Sequence, residues 1–303
     1  MTTAAAQSTA APFFVVGAQR SGTTMLRLML NNHPRLAIPF ESGFIPVFFR
    51  RLAEYGDLAE PANAARLLGD ICRHPKVEKG GLVPDAGAVL SRRTVTYRDL
   101  VDAIFSEYAQ RKGKARWGDK TPAYVTEIDT LLQIFPSSRL IHMVRDGRDV
   151  ALSLGAISWG SRHIPRVAED WRWKTVLAHK IGTVLGDRFL EVRFEDLVGD
   201  TERELRRICE FLGEAFDPAV LQYAASAETE MPADSMQWHR TSTRPPDRDK
   251  VYEWKRRMPV ADRILFEAVA GDALELFGYE RERLAPTVGS RIKGLYYAVV
   301  QRW

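Results

Sequence analysis

Phe13-Phe14-Val15-Val16 is an uninterrupted apolar, β-branched run that ends at Gly17. A run of that length predicts a strand buried on both faces. Between Gly22 and Asn32, Met25, Leu26, Met29 and Leu30 recur at helical spacing, and Asn31, Asn32 and Pro34 stop the helix. The opening segment therefore reads as strand, glycine-containing loop, helix. Leu140 to Val144 is a second buried-strand pattern, followed by a turn and a helix from about Arg148. Phe189 to Phe194 alternates like a third strand and leads into helices at 200–212 and 217–226. Between these, 43–112 reads as mainly helical. There Tyr97, Leu100, Val101, Ile104, Phe105 and Tyr108 keep the i, i+3, i+4 rule. A short strand is predicted at 115–117, with helices at 123–135 and 165–185.

Residues 227–249 are polar and proline-containing and read as a long loop. Helices resume at 250–256 and 259–277, and 290–303 predicts a final amphipathic helix. Short strands alternating with helices imply βαβ units. The expected fold class is therefore α/β: a P-loop-type parallel β-sheet with helices on both faces, a helical insertion and C-terminal helices. The expected organisation is a loose tail at 1–12, a single domain at 13–285 and a helical tail at 286–303. Within the domain, 46–112 is a helical insertion on the acceptor side and 227–250 a lid loop.

Composition narrows the function classes. The chain has 303 residues, 27% of them charged, and a net charge of +4. That is ordinary for a globular protein and too small for a dedicated nucleic-acid binder, so no nucleic-acid partner is expected. Two distant cysteines, Cys72 and Cys209, give no zinc-ligand spacing. The N-terminus lacks a basic, apolar leader pattern, and no run approaches the roughly 18 apolar residues of a membrane span. A cytoplasmic protein without stable membrane insertion is expected; the oligomeric state is not legible. The charge is unevenly spread. The first 40 residues hold Arg20, Arg27 and Arg35 and no acid, and Met236–Met258 has seven Lys or Arg against three acids. Folding could gather both segments around one anionic ligand.

Gly17-Ala18-Gln19-Arg20-Ser21-Gly22-Thr23-Thr24 lies where a phosphate-binding loop belongs. Its glycines let backbone N–H groups converge, and the following helix adds its positive end. Against the nucleotide-triphosphatase pattern GxxxxGK[ST], both glycines and Thr24 match, but Thr23 replaces the lysine that contacts the β- and γ-phosphates. That argues for a less highly charged anion than a triphosphate.

With its continuation Met25-Leu26, this string resembles the 5′-phosphosulfate loop of the sulfotransferases that use 3′-phosphoadenosine 5′-phosphosulfate (PAPS). Leu30-Asn31-Asn32-His33-Pro34 is similar too. A second stretch, Arg139 to Ser153, resembles the family's 3′-phosphate motif, in which a strand-end Arg and a Ser eight residues later map onto Arg145 and Ser153. Arg supplies a planar fork for phosphate oxygens and Ser a short donor. Arg193-Phe194-Glu195-Asp196-Leu197 resembles a third family segment, with Phe194 in place of the usual Tyr.

The resemblance implies an enzyme that moves a sulfuryl group from PAPS to a hydroxyl, leaving adenosine 3′,5′-bisphosphate, with no metal required. Arg20, Ser21, Gly22, Thr23, Thr24, Arg145 and Ser153 would bind the donor. Arg244, Arg248 and Lys250 on the lid are further candidates. Glu41, the first acid of the chain, corresponds to the base of the tyrosylprotein branch. Lys120, in Trp117-Gly118-Asp119-Lys120-Thr121-Pro122, is similar to a lysine that reaches the sulfuryl group there. Glu41, Lys120 and Arg20 are thus the candidate catalytic residues. His163 and His239 lie in loops and could enter the site. The expected acceptor is an amphiphilic or aromatic small molecule. The alternatives are a P-loop small-molecule kinase and a non-catalytic nucleotide-binding protein.

Overall fold

The computed structural model describes residues 11–92 and 96–300. Most of the expected N-terminal tail and the end of the expected C-terminal helix lie outside the described residues.

Five strands form one sheet: β1 (Phe13–Gly17), β2 (Leu36–Ala37), β3 (Arg116–Lys120), β4 (Arg139–Val144) and β5 (Phe189–Arg193). Their order is β2-β3-β1-β4-β5, and every pairing is parallel, with Phe13 beside both Gly118 and Arg139. The α/β class read from the sequence is therefore the fold. Because side chains alternate along a strand, β1 feeds two cores. Phe14 and Val16 join Phe105, Trp117 and Leu131 on one face. Phe13 and Val15 join Leu26, Met29, Leu205 and Ile208 on the other. A third apolar cluster, around Trp171, Trp254 and Phe266, packs beyond the end of β4.

The local differences from the sequence reading have physical causes. β3 runs Arg116–Lys120 rather than 115–117: Gly118, Asp119 and Lys120 are poor strand formers, but the ladder to β1 holds them. Gly118 is required there, since a Cβ would sit 2.4 Å from the Phe13 ring. The helix expected over 123–135 is split at Glu127 (φ −125°) into a 3₁₀ turn, Pro122–Thr126, and a helix, Ile128–Ile134. The stretch 217–226 is likewise a 3₁₀ segment, Pro218–Ala225. The two-residue β2 was not anticipated. The loop at 227–249 contains the short turns Ala233–Ser235 and Met236–His239.

β1 leads away to the edge strand β2, and the chain later crosses from β3 to β4 on the other side of β1. The carboxyl ends of β3, β1 and β4 thus flank a topological switch point, where open α/β sheets bind ligands.

Candidate active site

At the end of β1 the chain must turn tightly into the helix Thr23–Asn31. Two glycines make that possible. A Cβ at Gly17 would lie 2.5 Å from the Met143 carbonyl oxygen, and Gly22 has φ 92°, with the Phe194 ring 2.5 Å from where a Cβ would be. Arg20, between them, also has positive φ (67°). The helix has no side-chain cap and no acid in its first turn, so its amino end is free to face an anion. Ser21 is buried with its hydroxyl unpartnered.

Above this loop is a cavity of about 570 Å³. Arg20, Gly22, Thr23, Thr24, Glu41, Arg145, Ser153 and Lys250 line it, out of the residues singled out in the sequence. Ser21 and Lys120 lie just behind its wall. Arg244 and Arg248 are not brought to it: Arg244 is exposed, and Arg248 donates to the Gly199 carbonyl at 2.8 Å. Of the basic residues in the acid-free N-terminal stretch, only Arg20 reaches the cavity. Arg27 is buried against Glu230, and Arg35 pairs with Glu214.

Arg20 and Arg145 form one side. The Arg20 Nε donates to Ser153 Oγ at 2.9 Å, and its Nη1 to the Trp238 carbonyl at 2.9 Å. Arg145 lies 4.4 Å over the Phe194 ring and donates to the Lys250 carbonyl at 2.7 Å. Its Nε has no partner. Burial, followed by the neighbouring Arg145 charge, lowers the pKa of Arg20. Both guanidiniums thus hold carbonyls of the segment that frames the cavity, near either end of its basic stretch.

The base of Arg145 is fixed from below. Asp146 caps the helix Gly147–Gly155 through the Arg148 N–H, and also accepts from the Arg148 guanidinium and from the Trp254 indole at 2.9 Å. The Trp254 N–H donates to Asp149 at 2.8 Å. Trp254 therefore ties the end of the long polar segment to the end of β4. Glu195 accepts from the Asp146 N–H and the Tyr279 hydroxyl, and burial raises its pKa to about 7.

Opposite them, Lys120 Nζ donates to Glu41 Oε1 at 2.9 Å and to Thr24 Oγ1 at 3.3 Å, and lies 4.8 Å over the Phe40 ring. Burial lowers the Lys120 pKa, opposed by the Glu41 charge. Burial would raise Glu41, but Lys120 and Lys76 (3.1 Å from Oε2) outweigh it and hold the carboxyl at about 2. The pair is held in register by its neighbours: the Ser42 hydroxyl donates to Asp119 at 2.5 Å.

The sequence did not single out several residues that line the cavity. Lys76 and Lys79 come from the helical insertion, whose Phe and Leu side chains are instead spent in the core. Trp159 and Trp238 meet edge to face, with centroids 6.3 Å apart. His239, a loop histidine left open by the sequence, lines the cavity beside Phe40, whereas His163 packs on Tyr297 away from it. Burial, with the Lys120 and Arg20 charges, lowers the His239 pKa to about 4. Among the described residues, no group of three or more His, Cys, Asp or Glu could hold a metal ion, and no helix is long and apolar enough to cross a membrane.

A glycine-bent loop, an uncapped helix start and converging guanidiniums at the switch point define a P-loop-type α/β protein built to hold an anionic group. Residues 12–218 match the model of the sulfotransferase family, and the chain belongs to that family. It is a sulfotransferase. It is 28% identical to nodulation protein NoeE of Sinorhizobium fredii, over 96% of this chain and 72% of that protein. It is 24% identical to protein-tyrosine sulfotransferase A of Caenorhabditis elegans, over 92% and 70%. Among solved structures, the sulfotransferase domain of the Synechococcus PCC 7002 olefin synthase superposes with a TM-score of 0.62 at 26% identity, covering 89% of this chain and 96% of that one.

Proposed function

We propose that the protein transfers a sulfuryl group from PAPS to a hydroxyl of an amphiphilic or aromatic small molecule. The observation that carries this is the convergence, on one cavity, of loop residues Gln19, Arg20, Gly22, Thr23 and Thr24 with Arg145, Ser153 and Glu41, with Lys120 directly behind it. The residues fit a donor with two separated anionic groups. Backbone N–H groups of the uncapped helix start, with the unpartnered Ser21 hydroxyl nearby, suit the 5′ end. Arg145, with a free Nε, and Ser153 suit the 3′-phosphate.

When bound, the donor supplies an activated sulfuryl group. The protein's part is positioning and electrostatics, as in the related phosphoryl transfers. Lys120, bonded to Thr24 just behind the cavity wall, would offset charge on the bridging oxygen. Arg20 can do so from the other side. Glu41 would accept the acceptor's proton. Its carboxylate is a poor base while two ammoniums hold it. Engagement of Lys120 by the donor removes part of that hold and raises Glu41 toward a useful basicity. His239 is a second candidate base: it lines the same cavity and, with a pKa of about 4, is neutral near pH 7. Trp159 and Trp238 offer an aromatic wall for the acceptor.

Calorimetry tests the donor assignment. Adenosine 3′,5′-bisphosphate should bind in the micromolar range or tighter with a chelator present, and ATP poorly. Tight magnesium-dependent ATP binding with none to the bisphosphate would favour the small-molecule kinase and overturn the assignment.

A further inference from the structure

The helix Val288–Val300 turns the wrong side to water. Val288, Ile292, Leu295, Tyr296 and Val299 are each at least 62% exposed. At 3.6 residues per turn these positions form one continuous stripe. The opposite side is seated on the body. Tyr297 is buried, its hydroxyl donates to the Arg162 carbonyl at 3.0 Å, and its ring lies tilted against His163 with centroids 4.1 Å apart. Ser290 is buried, and Lys293 pairs with Asp262. The helix is therefore fixed, with its apolar stripe outward. Single exposed apolar residues are ordinary, but an aligned stripe of five marks a contact surface.

The surrounding charge selects the partner. The helix itself carries no Asp or Glu; Glu275 and Asp262 of the preceding helix pair with Arg283 and Lys293, and Arg291 pairs with neither. Arg291, beside Ile292, is exposed. The same helix of a second copy would offer Arg291 no acid. A surface that is apolar inside and anionic at its boundary satisfies both features, and that is an anionic lipid leaflet.

The position connects this face to the site. Tyr297 is bonded to Arg162, and Trp159, three residues earlier, lines the cavity and is 52% exposed. Three residues span at most about 11 Å. The cavity rim therefore lies near the seated side of this helix, with the apolar stripe on the helix's outer side.

We propose that this helix rests on an anionic lipid surface and that an amphiphilic acceptor enters the cavity from that surface. The second clause rests on the sulfotransfer reading above; the first does not. Full-length protein is mixed with phosphatidylcholine vesicles, with or without phosphatidylglycerol, and recovered by flotation. It should float with the anionic vesicles and be released by salt. Ile292→Glu/Leu295→Glu should weaken flotation at least about tenfold. The milder Ile292→Ser/Leu295→Ser should weaken it in the same direction. Both should keep wild-type affinity for adenosine 3′,5′-bisphosphate, which reports that the fold is intact. The proposal is overturned if wild type ignores anionic vesicles or if the variants float equally well. It is also overturned if wild type sediments as a dimer that these substitutions dissolve. Loss of bisphosphate binding by wild type would instead defeat the sulfotransfer reading and leave the flotation result standing.

Discussion

Replacing Lys120 by methionine removes one charge while keeping the volume of a fully buried side chain, and its main consequence falls on Glu41. In wild type the two are 2.9 Å apart and the carboxyl sits at about 2. Unit charges about 4 Å apart, at an effective dielectric of about 20, attract by about 4 kcal/mol. At about 1.4 kcal/mol per unit of pKa, that is about three units. Lys76 remains, but it is 45% exposed and holds the carboxyl less firmly. Glu41 should therefore titrate near 5 in Lys120→Met. The sign for stability follows. Because folding depresses the Glu41 pKa, the stability linked to it is present above the ordinary value of 4.5 and is lost as pH falls toward 2. In the variant that acid-side loss should largely vanish. Carbon-13 NMR of the glutamate carboxyl, assigned with Glu41→Gln, reads the titration directly. A Glu41 that still titrates near 2 in Lys120→Met would refute the claim that Lys120 controls it. Under the proposed mechanism, turnover should also fall and acquire an acid limb near pH 5.

Three further outcomes follow from the same contacts. Arg145→Ala should weaken adenosine 3′,5′-bisphosphate binding by about 10- to 100-fold in calorimetry, as expected for losing a charge-assisted fork worth about 1.5–3 kcal/mol. Gly22→Ala forces a left-handed backbone on a residue with a Cβ and drives that Cβ into Phe194. It should cost about 1–3 kcal/mol in denaturant unfolding and abolish nucleotide binding. Glu195 is raised to about 7 by burial, so its linked stability is present below the ordinary 4.5 and is lost as pH rises through 7. Glu195→Gln should flatten the dependence of unfolding free energy on pH across that window, by up to about 3 kcal/mol. An unchanged slope would mean that Glu195 is already ionised in the folded protein.

The strands that build the centre of the sheet were readable because they are buried on both faces and therefore continuously apolar. β1 and β4 were placed to within a residue. β3 was harder, since its last three residues are Gly118, Asp119 and Lys120, and only pairing with β1 makes them a strand. β2 is two residues long and carries no pattern at all. The loop next to the glycines was legible as a tight turn into an uncapped helix start because local backbone geometry does that work. Side chains contributed from afar were not. Nothing in the spacing of Lys76 and Lys79 says that the insertion folds back to the cavity. Likewise, no charge count separates Lys250, which lines the cavity, from Arg248, which is satisfied by a carbonyl on the body. The final helix was read as amphipathic from its spacing, but only the packing of Tyr297 shows that its apolar face points outward.

The position left vacant by the loop lysine is informative for the same reason. In the triphosphatase pattern the cation stands inside the loop, at the residue that is Thr23 here. In this fold a buried ammonium instead reaches Thr24 from the adjacent strand β3 and shares its charge with Glu41. A lysine inside the loop would face a terminal phosphate from the helix side. One arriving from β3 stands behind the cavity wall, bonded to both Thr24 and Glu41. Under the proposed mechanism it would therefore offset leaving-group charge and hold the proposed base in the same contact. Moving it back, as Thr23→Lys/Lys120→Met, would restore cation count without restoring that coupling. Nucleotide affinity should then survive better than turnover, and equal recovery of both would show that only the number of charges matters.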